Sequence, residues 1–138
     1  KQNYLTPALG FRPENVVSVE TIDAEKADDP TWTDEKFNFW GYPDSSLAVY
    51  FRDAINRAER DHERLYITHL TGITHHPWDT PGKIYDELVG PESIGKNEGL
   101  NKYLNTIGVN DKWYGEFLEI LEETGVANET LIVMTGDQ

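Results

Sequence analysis

Cysteine is absent from the 138 residues, and basic side chains are scarce: 12 Lys plus Arg stand against 25 Asp plus Glu, a formal net charge of −13. The missing thiols exclude disulfide staples, thiolate zinc sites and a Cys nucleophile within these residues. The shortage of Lys and Arg argues against nucleic acid, whose phosphates need a basic face, and against anionic membrane surfaces. No apolar run approaches the ~20 residues of a membrane span, and no signal peptide is recognisable. Aromatic residues, in contrast, are plentiful: four Trp, seven Tyr and five Phe make up 12% of the chain. That is too rich a supply of large apolar side chains for a disordered acidic segment. A folded chain of this length buries roughly two-thirds of its unfolded surface, enough for one core.

The first 43 residues show no clear periodicity, although Val16 to Glu25 reads as a short helix and Asp28-Asp29-Pro30 as its break. From residue 44 the pattern sharpens. Asp44 or Ser45 is placed to cap a helix whose apolar face is Leu47, Tyr50, Phe51, Ala54, Ile55 and Ala58. Leu65 to Leu70 is rich in β-formers and reads as a buried strand, followed by a polar stretch from Thr71 to Asn97. A connection that long is often functional. The spacing of Leu100, Tyr103, Leu104, Ile107, Tyr114, Phe117, Leu118 and Leu121 predicts a long helix, with Gly125 where a C-terminal cap belongs. Thr130 to Thr135 is a continuous apolar run of the kind found in a buried strand. The order helix, strand, long loop, helix, strand predicts a crossover unit of an α/β sheet.

In such sheets ligands bind beyond the carboxyl ends of the strands. His75 and His76 lie in the loop after the first strand, and Asp137 and Gln138 directly follow the second. Two adjacent His can ligate a metal, donate protons or bind an anion, but the same pair serves equally as an ordinary surface feature. Asp137 reads as a hard-cation ligand or as a loop-starting Asp. Asp111 is expected to project from the apolar stripe of the long helix, where a carboxylate needs a partner, so a structural role is assigned to it.

Several of these residues carry a resemblance. Asn105-Thr106-Ile107, Asp111, Gly115, Leu118, Leu121 and Gly125, followed by Asn128 through Asp137, resemble the late part of the sulfatase catalytic domain in the alkaline phosphatase superfamily. Phe39-Trp40-Gly41-Tyr42-Pro43, Tyr50-Phe51-Arg52-Asp53 and Thr74-His75-His76-Pro77-Trp78 are similar to its fungal branch, which in turn resembles lipoteichoic acid synthases and phosphoglycerol transferases. The resemblance covers residues 37–138 and leaves 1–36 as a poorly defined leader.

The resemblance implies an alkaline-phosphatase-like α/β sandwich with a mostly parallel central sheet flanked by helices. It matches Asp137 to a ligand of the catalytic divalent cation, whether Ca, Mg, Mn or Zn. Gln138 falls on the next ligand position, where relatives carry His or Asn. His75, with His76 beside it, matches the His that contacts a phosphate-bearing substrate, and Asp111 matches the Asp of the helix. The hydroxyl or formylglycine nucleophile of the family has no counterpart here. The chain, which starts at Lys1, therefore reads as an interior piece of a catalytic domain, inactive alone. The zero Cys count then says nothing about a formylglycine precursor outside these residues. The implied activity is metal-dependent hydrolysis or transfer of sulfate or phosphate esters, in a protein that is membrane-associated or extracytoplasmic. The alternative, raised by Gln138, is a non-catalytic sulfatase-like binding module.

Overall fold

The computed structural model describes residues 5–29, 31–83, 85–90 and 97–136. The chain divides into two compact units, Lys1–Glu35 and Lys36–Gln138.

In the first unit a four-residue helix, α1 (Leu5–Ala8), and a 3-10 turn at Pro13–Asn15 precede α2 (Val19–Asp28). Helix α2 starts three residues later than the apolar pattern suggested, because Ser18 supplies the cap. Its hydroxyl accepts from the Thr21 amide at 3.4 Å, and its own amide donates back to Thr21 Oγ1 at 3.2 Å. The helix ends at Asp29, whose carboxylate accepts from the hydroxyl and amide of Thr31 at 2.6 and 2.8 Å. Those two bonds favour the charged form and hold the Asp29 carboxyl below its usual range.

Among the described residues the second unit is built on two helices. A 3-10 turn at Asp44–Leu47 runs directly into α3 (Ala48–Asp61), and α4 (Glu98–Glu123) follows a long connection that contains a 3-10 turn at Pro81–Lys83. Helix α3 closes on His62, which takes a left-handed conformation (φ 54°) while the Glu63 amide reaches back to the Ala58 carbonyl at 2.9 Å. At 26 residues α4 is about 39 Å long. Asn97 caps it by accepting from the Leu100 amide at 3.0 Å, and Gly125 (φ 79°) follows its last turn, as the sequence predicts.

The core lies between these helices: Phe51 and Ile55 from α3 meet Trp113, Ile120 and Leu121 from α4, with Tyr114, Phe117 and Val126 packed against them. Phe51 is its centre, 4.9 Å from the Phe117 ring and 5.9 Å from the Trp113 ring by centroid. Each such side chain contributes about 1.5–3 kcal/mol by leaving water. The ion pair Arg52–Glu123 at 2.6 Å also joins α3 to α4. Both of its side chains are substantially exposed, so it adds at most about 1 kcal/mol.

Two expectations are corrected. The α/β sandwich with a mostly parallel central sheet is not seen: among the described residues there is no strand, and an isolated bridge between Asn38 and Gly41 is the nearest approach to one. Leu65–Leu70 and Thr130–Thr135 lie outside every helix, but neither enters a ladder. They are not buried either, since Tyr66, Leu70, Leu131 and Val133 are each more than three-quarters exposed. A strand exists only where a neighbouring main chain completes a ladder with it, and among the described residues neither segment joins one. The buried face of α4 is also rotated from the expected stripe. Thr106, Trp113, Ile120 and Leu121 point inward, whereas Ile107, Asp111 and Leu118 form an exposed face.

Candidate functional site

The loop after α3 is held to the helical core by one carboxylate. Asp44, at the start of the 3-10 turn, accepts from the Gly72 amide through Oδ1 and the Ile73 amide through Oδ2, both at 3.3 Å. Its side chain was expected to cap α3, yet no side-chain cap is made there, and the carboxylate is spent on the loop instead. Ile73, only 1% exposed, plugs in beside it. His69 Nε2 lies 3.3 Å from Asp44 Oδ1 and 3.2 Å from the Trp113 indole nitrogen. The indole N–H can only donate, so neutral His69 accepts from Trp113 at Nε2. A protonated His69 would instead turn that nitrogen's hydrogen to Asp44. One residue thus links the loop, the 3-10 turn and α4.

Beyond this anchor the chain turns tightly: the His75 amide donates to the Gly72 carbonyl at 3.2 Å and the Trp78 amide to the His75 carbonyl at 3.1 Å. His75 and His76 sit at the exposed apex. The His76–Pro77 bond is cis, and Trp78 adopts a left-handed φ of 62°. A non-glycine residue in that region costs about 1–2 kcal/mol. Contacts of the Trp78 ring offset it, with the His76 ring at 5.2 Å and Tyr103 of α4 at 5.9 Å. From the other side the Trp40 ring packs against His75, with centroids 4.0 Å apart and planes tilted by 48°, and its indole N–H donates to the His76 carbonyl at 2.8 Å. Phe39 extends this aromatic group, its ring 4.9 Å from that of Trp40.

The expected site residues are therefore distributed unevenly. His75 and His76 come together on an anchored turn, within reach of solvent. Asp111 lies on the exposed face of α4, so the argument that burial obliges it to find a partner does not apply. Asp137 and Gln138 lie outside the described residues. A cleft of about 250 Å³ opens beside Asp44, lined among others by Ile73, Lys112, Trp113 and Glu116, and is lined by none of His75, His76 and Asp111. Sequence reasoning missed the anchoring roles of Asp44, His69, Trp113 and Trp40. Asp44 carried a helix-cap signal and Trp40 one as part of the Phe39-to-Pro43 motif, but neither pointed to the anchoring contact.

A metal site is not formed by the described residues: no group of three or more His, Cys, Asp or Glu among them is placed to hold an ion. No helix among the described residues is long and apolar enough to cross a membrane.

An exposed imidazole pair on a constrained turn is chemically able to meet anionic oxygens. The Sulfatase family model matches residues 8–138, nearly the whole chain, and the protein belongs to the sulfatase family, whose members act on sulfate esters. No curated protein and no solved structure matches the chain.

Proposed function

We propose that the chain contributes part of the site of a metal-dependent sulfuric- or phosphoric-ester hydrolase or transferase of the fungal, lipoteichoic-acid-synthase-like kind, and that the 138 residues alone are inactive. The observation that carries this reading is the His75–His76 apex, exposed on a turn that Asp44 and Trp40 hold from two sides in a chain of the sulfatase family. His75 binds the ester's anionic oxygens when charged, or donates a proton to the leaving oxygen, with His76 as a second donor. Asp137 and Gln138 offer a carboxylate and an amide oxygen, hard donors suited to a divalent cation, though fewer than such an ion requires. When bound, the cation would offset negative charge on the ester.

The test is a titration of the ¹⁵N-labelled chain with inorganic sulfate and inorganic phosphate near pH 6, where imidazole is partly charged. We expect the His75 and His76 ring signals to move with either anion, and the response to fall in His75→Gln. Unmoved rings would overturn the assignment. Nitrophenyl sulfate and phosphate should not be turned over by the isolated chain above a blank, and clear turnover would mean that the nucleophile lies within these residues.

The second reading, a binding module without turnover, rests on Gln138 standing where relatives carry His or Asn. Replacing Gln138 by His in an active enzyme containing this segment separates the two. A large gain in activity favours a degenerate site, and a loss makes Gln138 a working ligand.

A further inference from the structure

The His76 carbonyl oxygen is shared by two groups: Trp40 Nε1 at 2.8 Å and His75 Nδ1 at 3.0 Å. A carbonyl oxygen can only accept, so both nitrogens must carry hydrogen. For His75 this settles the tautomer. Its Nδ1 holds the hydrogen and is turned back onto the backbone, while Nε2 is bare in the neutral ring and is the nitrogen left for a ligand. On protonation the Nδ1–H bond is kept, and the proton enters and leaves at Nε2. Free imidazole side chains favour the opposite arrangement, with hydrogen on Nε2, so something must hold this one.

We infer that Trp40 is the positioning residue that does so, presenting His75 Nε2 to substrate. Two features of Trp40 act together. Its indole N–H pins the His76 carbonyl in the direction that His75 needs, using one of the oxygen's two lone-pair sites and leaving the other for Nδ1. Its ring, 4.0 Å from the imidazole, closes off one face and opposes rotation of His75 away from that carbonyl. The loop alone lacks this second support, because the His75 and Trp78 amide bonds fix only its main chain. That Nε2 meets an ester rests on the function proposed above; the tautomer and its dependence on Trp40 do not.

The experiment is a two-bond ¹H–¹⁵N correlation of the ¹⁵N-labelled chain about two units above the usual imidazole range, with the His75 ring identified by its disappearance in His75→Gln. The expected parent spectrum shows a protonated Nδ1 and a bare Nε2. Trp40→Phe keeps a ring against His75 but loses the N–H, so the ratio of Nδ1–H to Nε2–H tautomer should fall about two- to tenfold, the consequence of one lost neutral hydrogen bond. Trp40→Ala, which also removes the ring, should lower it further. Trp40 is substantially exposed and outside the core, and unchanged far-ultraviolet dichroism would confirm that both variants fold. A parent His75 with hydrogen on Nε2, or a tautomer ratio unmoved in both variants, overturns the inference. The sulfate titration separates this from the functional reading. A Trp40-dependent Nδ1–H tautomer with rings indifferent to sulfate and phosphate would sustain the positioning role and refute the ester role.

Discussion

At the scale of single residues, Asp44 shows how far a local pattern carries. Asp before an amphipathic run is a sound helix-cap signal, and the helix does follow. What the pattern could not contain is that Gly72 and Ile73, far along the chain, offer two amides to the same carboxylate. His69 and Trp113 were illegible for the same reason: their hydrogen bond spans 44 residues, and neither residue is unusual in its own neighbourhood. Asp44→Asn preserves shape but removes the charge and leaves one acceptor oxygen for two amides. The unfolding free energy should fall by about 1–3 kcal/mol, the range for hydrogen bonds to a charged group or for a partly buried donor left without an acceptor. A urea midpoint unchanged from the parent would show that the loop is held elsewhere, in Ile73 and the Trp40 contact.

At the scale of elements, the existence of α3 and α4 was legible, because both carry 3.6-residue periodicity over several turns. The face that α4 buries was not. Its sequence is apolar on two sides, and periodicity cannot rank them. Trp113 decides, since it brings the largest side chain and an N–H that His69 accepts, and it turns Ile107, Asp111 and Leu118 outward. The polar side of α4 has its own work. Asn101 accepts from the Leu88 and Val89 amides at 2.9 and 2.8 Å and donates to the Val89 carbonyl at 3.2 Å. Asn105 does the same for both main-chain groups of Asp86 at 3.0 Å. Two asparagine side chains thus replace the strand that segment 85–90 would otherwise need. Asn101→Ala should release this segment while leaving the core intact. Cleavage after Glu87 by a glutamyl endopeptidase should then accelerate about fivefold for each kcal/mol of lost anchoring, with the thermal midpoint little changed. Equal cleavage rates in parent and variant would mean that Asn105 alone holds the segment.

At the scale of the whole molecule, the sulfatase motifs were legible and the sheet inferred from them was not borne out. Short motifs survive as sequence wherever they stand, whereas a ladder requires two main-chain segments to pair, and neither Leu65–Leu70 nor Thr130–Thr135 pairs in one among the described residues. The physical consequence is an apolar surface. Leu131 is 89% exposed and Val133 78%, and both lie on a segment whose main chain joins no ladder. Exposed apolar side chains on a stretch that joins no ladder among the described residues favour pairing with a second molecule. The net charge of −13 opposes close approach, but its repulsion is screened beyond about 10 Å at 0.1 M salt, whereas contact between apolar side chains is not. Sedimentation velocity across a concentration series should therefore show association that grows with salt. The double variant Leu131→Lys and Val133→Lys should suppress it without altering helix content, because neither side chain belongs to the core. A parent that stays monomeric at every concentration and salt, including where the repulsion is screened, would show that the exposed segment does not drive association.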